Sequence, residues 1–163
     1  MIRTRLAGTG DLEAVAALIV ENSSANGGAL TGDWSLDRVE QWFARGDAII
    51  VASDGDRLVG ALLTSEGTQA AGPAVAAMLD AYPGGPSAYV YGPVCIDARE
   101  RGRGLLAALH AEARRYYPGR EAVLFIRADN PRSLQAHLKL GMRVVGEFPF
   151  AGQRHLVLSD AAD

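Results

Sequence analysis

The most constraining stretch of this 163-residue chain is Val94-Cys95-Ile96-Asp97-Ala98-Arg99-Glu100-Arg101-Gly102-Arg103-Gly104-Leu105-Leu106. An apolar strand pattern runs into a charged, glycine-containing turn. The turn opens a helix whose apolar face is Leu105, Leu109, Ala113 and Tyr116. The first amides of a helix have no internal partners, and the helix dipole adds partial positive charge there. Glycines let phosphate oxygens approach that backbone closely, and Arg99, Arg101 and Arg103 add positive potential and direct donors. The layout is that of a phosphate site. A bare Gly-x-Gly is still a weak signal, because most such turns only connect elements. No Gly-Lys-Ser/Thr follows, so the Walker pattern is absent. The dinucleotide fingerprint lacks its third glycine, and its strand lies late in the chain.

The other segments predict one mixed α/β domain over residues 1–163. Asp11 is placed to cap a helix carrying Leu12, Val15 and Ile19, and Ser35 a second carrying Leu36, Val39 and Phe43. Between them, Asn22–Asp33 is polar and glycine-rich, hence a loop. Ala48–Ala52 and Leu58–Leu63 flank Ser53-Asp54-Gly55-Asp56, a hairpin pattern with Asp-Gly as the turn. Pro73–Tyr82 reads as a short helix, and Ala88–Ile96 as a strand interrupted at Gly92-Pro93. Ala122–Ile126 is continuously apolar, as a strand buried on both faces should be. Asp129 or Asn130 caps the next helix, with Pro131 in its first turn and Gly141 past its end. Strands at about Arg143–Phe148 and Arg154–Leu158 meet at Ala151-Gly152, and Ser159–Asp163 reads as a polar tail. No repeat period appears.

Composition narrows the function classes. Sixteen basic residues against 19 acidic ones give a formal charge of −3, whereas a dedicated nucleic-acid binder shows a basic face and a pI above about 9. One cysteine, Cys95, excludes an internal disulfide framework and any multi-cysteine metal site, and no other metal-ligand spacing is evident. No apolar run reaches the roughly 18 residues of a membrane span, and the N-terminus lacks a signal-peptide pattern. These features predict a cytoplasmic protein.

With both its signatures in view, the chain resembles the GNAT acetyltransferase superfamily. One signature is an apolar strand end followed by Arg/Gln-x-x-Gly-x-Gly/Ala at a helix start, met by Ile96 to Leu106. With Arg101 leading the motif, Leu106 replaces the final Gly or Ala. The register Arg99-x-x-Gly102-x-Gly104 keeps both glycines and moves the helix start by two residues. The second signature is Asn-x-x-Ala/Ser, then usually Tyr, ending in Leu-Gly-Phe. Asn130-Pro131-Arg132-Ser133-Leu134-Gln135-Ala136-His137-Leu138-Lys139-Leu140-Gly141-Met142 matches it, with His137 where the family commonly carries Tyr. The two signatures stand in the family's order, and the element order follows the family over almost the whole chain. Only Pro73–Tyr82 looks like an addition.

The resemblance implies a central, mostly antiparallel twisted sheet flanked by helices, with one parallel strand pair splayed around the pantetheine arm of acetyl-CoA. It implies acetyl transfer from acetyl-CoA, as cosubstrate, to a primary amine of a small molecule or a protein. Backbone groups of Val94, Cys95 and Ile96 would pair with the arm. Arg101, Gly102, Arg103, Gly104, Leu105 and Leu106 would hold the pyrophosphate, and an Arg side chain of the turn or Arg132 the 3′-phosphate. Asn130 and Ser133 would contact the pantetheine. His137 would be the general acid for the departing thiolate, since imidazole exchanges protons near neutral pH; its plain alternative is a packing histidine. Cys95 reads as a buried small hydrophobe more readily than a nucleophile. Glu66 reads as an exposed strand-end residue, His110 and His155 as structural or solvated, and Trp34, Trp42 and Tyr91 as core or cleft aromatics. The rival readings are a non-catalytic acyl-CoA sensor and a nucleotide-binding module. A homodimer is compatible with the sequence. Acceptor choice is expected in Asn22–Asp33 and Pro73–Pro86, since loops on a rigid scaffold carry it.

Overall fold

The structure is a computed structural model that describes residues 1–22, 34–66 and 72–162. Most of the Asn22–Asp33 loop therefore lies outside the described residues. Seven strands form a mostly antiparallel sheet in the order β1-β2-β3-β4-β5-β7-β6, and five α-helices accompany them among the described residues. The strands are β1 (Ile2–Leu6), β2 (Ile49–Asp54), β3 (Arg57–Ser65), β4 (Tyr89–Ile96), β5 (Ala122–Arg127), β6 (Arg143–Phe150) and β7 (Gln153–Ser159). The helices are α1 (Leu12–Glu21), α2 (Leu36–Ala44), α3 (Pro73–Ala81), α4 (Leu105–Tyr116) and α5 (Pro131–Lys139). None of the described helices is long and apolar enough to cross a membrane. The mixed α/β class with one parallel pair, β4 with β5, is as the sequence predicts. The chain divides into two compact units, Met1–Thr64 with Pro93–Pro118, and Ser65–Gly92 with Gly119–Asp163.

In the first unit, Ile49–Ala52 of β2 and Leu58–Leu63 of β3 are continuously apolar because both faces of those stretches are covered. Ile49, Val51, Ala61, Leu63 and Cys95 pack with Leu12, Val15, Ile19, Val39 and Trp42 from α1 and α2. Burying one such Leu or Ile side chain contributes about 1.5–3 kcal/mol. Trp42 is buried, and its indole N–H is spent on the Thr64 carbonyl at 2.8 Å. Ser35 caps α2 as predicted, its hydroxyl accepting from the Arg38 amide. Asp11 stands at the N-cap position of α1 as predicted, but its side chain caps no amide of that helix; the carboxylate accepts from the Gly8 amide at 2.8 Å and pairs with Arg5, closing the turn before the helix. The hairpin turn is Gly55-Asp56, with Asp54 paired to Arg57, one residue beyond the predicted Asp-Gly. On α4 the buried stripe is Leu105, Leu109, His110 and Ala113; Tyr116 is exposed, and the following Tyr117 is buried instead.

In the second unit, β5 runs parallel to β4 at Tyr89↔Ala122 and Val90↔Val123, and antiparallel to β7 from Val123↔Ser159 to Arg127↔His155. The added helix α3 has a packing reason: its Val75 and Met78 join Val90, Val123, Phe148 and Val157 in one core. The β6–β7 hairpin turns through Ala151 (φ 51°) and Gly152 (φ 75°). Ser159 belongs to β7 and is buried, so the polar tail starts later than predicted.

Candidate active site

In the first unit, the glycine turn sits on a base of paired charges. The Asp97 amide donates to the Val59 carbonyl at 2.9 Å, tying the end of β4 to β3. Asp97 is buried, its side chain 7% exposed. Its carboxylate accepts from the Arg99 amide (2.9 Å), from Arg99 Nε and Nη2 (3.1 and 2.7 Å) and from Arg57 Nη1 (3.2 Å). Hydrogen bonds from Arg99, with the nearby Arg57 charge, hold its pKa down to about 2. Buried Glu100 binds Arg103 and Arg57, which lower its pKa too, and Arg103 also reaches Asp54 at 3.2 Å. Three guanidinium groups thus meet three carboxylates. Arg101 instead donates to Asn22 Oδ1, a neutral acceptor, at 3.3 Å.

Above this base, Gly102 and Gly104 have φ of 84° and 76°, a region costly to other residues. A Cβ at either would meet nothing within 4 Å, so one face of the turn is open backbone. Leu105 is buried and anchors α4, while Leu106 is only half-buried. The first intrahelical bond runs from the Ala108 amide to the Gly104 carbonyl at 3.1 Å. The amides ahead of it have no helical partner and lie at the positive end of the dipole. Open glycine backbone, orphan amides and Arg101 form a donor set that fits a pyrophosphate. The helix start immediately after Gly104 agrees with the register in which Arg101 leads the motif. Val94 and Ile96 are half-buried on β4, and Cys95 between them is buried in the core, with its thiol pushed up to about 12 by burial. It is a packing residue.

The second unit holds the other signature. Asn130 caps α5, its side-chain oxygen accepting from the Ser133 amide at 3.3 Å, with Pro131 in the first turn. One turn on, His137 is 2% exposed. Its Nδ1 lies 2.8 Å from the Ser133 carbonyl and 3.4 Å from the Ser133 hydroxyl. Its Nε2 lies 3.1 Å from the hydroxyl of buried Tyr91, whose ring meets the imidazole edge-on at 5.5 Å. Burial pushes the Tyr91 phenol well above its usual range.

The remaining candidates have structural partners. Glu66 is exposed and paired with Arg120 at 2.6 Å. His155 is buried and stacked on Phe148 at 5.1 Å, with Nδ1 3.1 Å from the Gln153 carbonyl. His110 is buried on α4. Trp34 packs against Trp42 at 5.6 Å, with Arg38 over its ring. Sequence reasoning missed two features: the carboxylates Asp97 and Glu100 beneath the turn, and the Tyr91–His137 pair. The first had a local signal in the Asp97-x-Arg99 spacing of an Asx turn. The second had none, because 46 residues separate its members.

No curated protein matches this chain. Solved structures do match it over nearly its whole length. A GNAT-family acetyltransferase of Streptococcus agalactiae 2603 superposes with a TM-score of 0.78 at 18% identity, covering 99% of this chain and 96% of that one. An N-acetyltransferase of Staphylococcus aureus Mu50 gives 0.73 at 17%, covering 98% and 97%. The Salmonella typhimurium protein yncA, solved with its cofactor acetyl-CoA, gives 0.67 at 19%, covering 98% and 92%. At these identities the likeness establishes the fold. The family itself comes from sequence: the acetyltransferase (GNAT) family model matches residues 19–142, so this chain belongs to that family, whose members use acetyl-CoA.

Proposed function

We propose that the chain transfers an acetyl group from acetyl-CoA to a primary amine by direct attack of the amine on the thioester. The observation that carries this reading is the open glycine backbone of Gly102 and Gly104 at the start of α4, inside the span matched by the family. Acetyl-CoA supplies the activated acyl group. The amides of Arg101, Gly102, Arg103, Gly104, Leu105 and Leu106 bind its pyrophosphate, with the Arg101 side chain beside them. Backbone groups of Val94, Cys95 and Ile96 orient the pantetheine arm. One of their amides polarises the thioester carbonyl, a fixed donor contributing about 3 kcal/mol in other acyl transfers. The Asn130 amide group and Ser133 contact the arm, and His137 supplies the proton that the departing sulfur needs. The acceptor is a small-molecule amine or a protein amino group. A CoA-release screen with acetyl-CoA across chemically distinct amines tests the proposal: turnover with at least one class is expected, and binding without release from any amine overturns it.

One observation favours a second reading, a non-catalytic acyl-CoA sensor. Both ring nitrogens of His137 are already engaged, by Ser133 and Tyr91, in a buried setting. Acetyl-CoA binding that survives in a protein inert toward the whole amine panel would support it.

A further inference from the structure

In the second unit, the segment from the end of α3 to the start of β4, Tyr82–Ala88, is held by two consecutive residues just ahead of β5. The Glu121 carboxylate accepts from the Tyr82 hydroxyl at 2.8 Å and from the Gly85 amide at 2.7 Å. It also accepts from the hydroxyl of Ser159, which ties it to β7. The Glu121 carbonyl takes the Tyr89 amide at 2.8 Å, where β4 begins. Beside it, Arg120 Nε donates to the Ser87 carbonyl at 2.7 Å. Gly84, at φ 75°, passes so close to β5 that a Cβ would lie 2.9 Å from Ala88 Cβ and 3.1 Å from Val123 Cγ2. Pro83, Gly85, Pro86 and Ser87 are nonetheless exposed. The segment is a surface strap, fitted by a glycine and fastened by Glu121. An ionised carboxylate can accept from all three donors, whereas a protonated one gives up part of that capacity to its own hydrogen. Burial opposes the charge and nearby Asp160 adds to that, but the Ser159, Gly85 and Tyr82 donors hold the Glu121 pKa below the ordinary value.

The strap and the phosphate turn lie at opposite ends of β4: Ala88 precedes the strand and Asp97 follows it. A cofactor held at the turn, with its arm along Val94–Ile96, points its acyl end toward the N-terminal half of β4. The acceptor then comes from the end of the strand where the strap is fastened. We propose that Glu121 is a positioning residue for the acceptor amine, fixing the strap against which that amine binds. This rests on the acetyl-transfer reading and deepens it. Glu121 acts through Tyr82–Ala88, not on the reacting atoms.

The test compares wild type, Glu121→Gln and Tyr82→Phe by steady-state kinetics with an amine that releases CoA, and by amide hydrogen exchange. Glu121→Gln keeps the size of the side chain but turns an NH2 group toward donors. Its KM for the amine should rise about tenfold or more. Its kcat and its KM for acetyl-CoA should change by less than about twofold, the pattern of lost acceptor binding. The Gly85 amide should exchange about tenfold faster or more, while the amides of β5 and β7 stay as protected as in wild type. Tyr82→Phe removes one tie and leaves the Gly85 tie, so it should shift both readouts in the same direction by less; it carries the test alone if Glu121→Gln does not fold. Unchanged Gly85 exchange, faster exchange with an unchanged amine KM, or equal changes in both KM values overturn the proposal and leave acetyl transfer standing. A wild-type protein that releases no CoA with any amine removes the acetyl-transfer reading, and with it the role of the strap in acceptor binding.

Discussion

Asp97 is the residue on which the phosphate turn rests, because one buried carboxylate organises a backbone amide and two guanidinium groups at once. Asp97→Asn keeps the shape and removes the charge. Arg99 and Arg57 are partly solvated, so the expected loss at neutral pH is about 1 kcal/mol rather than the larger value of a fully buried pair. The sign of the pH dependence follows from the depressed pKa. The folded carboxyl titrates at about 2 against an ordinary 3.8, so its stabilisation is complete above the ordinary value and is lost as pH falls from there toward 2. Urea unfolding of both proteins should show a gap that is constant near neutrality and closes across that acid window. A gap independent of pH would contradict the assigned ion pairs. Cys95 gives a simpler test at the same scale. Buried in the core, with a thiol at about 12, it should resist an aromatic disulfide reagent at pH 8 until the protein is unfolded.

At the scale of elements, the β6–β7 hairpin carries a local conflict between residue and turn. Both turn residues have positive φ, the backbone of a two-residue type I′ turn, yet the first is Ala151. An alanine held there costs about 1 kcal/mol relative to residues that tolerate the left-handed region. Ala151→Asn should therefore raise the melting temperature by about 2–4 °C, and an unchanged or lower value would mean the turn is not of this type. Gly104→Ala tests the other turn. A Cβ there meets open space but sits on a left-handed backbone, so the change should cost about 1–2 kcal/mol and weaken acetyl-CoA binding, which equilibrium dialysis would measure. Elements of this kind were legible because local chemistry sets them: Ser35 and Asn130 cap where their helices begin, and Ala122–Ile126 is the buried strand its apolar run implies. Asp11 takes the N-cap position the sequence gives it, but its carboxylate goes to an exposed arginine, Arg5, and to the Gly8 amide instead of to an amide of α1. Tyr116 and Tyr117 exchanged roles because α4 ends between them, where helical periodicity no longer decides which side chain turns inward. The Tyr91–His137 pair was invisible for a different reason, since no local pattern links two residues whose contact is tertiary.

For the whole molecule, the question is how a chain of net charge −3 accommodates a polyanionic cofactor. The sequence places three arginines and one glutamate between residues 99 and 104, which suggests a basic patch. The structure spends most of that charge internally: Arg57, Arg99 and Arg103 are matched by Asp54, Asp97 and Glu100. What the turn offers a phosphate is therefore chiefly backbone N–H groups, with Arg101 beside them. Distant acidic residues matter little, because their field is screened beyond a Debye length of about 8 Å in physiological salt. Neutral donors in fixed positions select by shape more than by charge, so binding should discriminate among nucleotides of similar charge. Acetyl-CoA at about 100 times its dissociation constant should stabilise the fold by about 2.7 kcal/mol, a rise of about 5–10 °C in melting temperature for a chain of this size. ATP and NAD at the same concentration should give distinctly smaller shifts, since neither carries a pantetheine arm to lie along Val94–Ile96. Raising the salt to about 1 M, where the Debye length falls to about 3 Å, should leave more than half of the acetyl-CoA shift in place. A shift that vanished with salt would place the binding energy in the arginine charges, and one that ATP matched would place it in a general phosphate site.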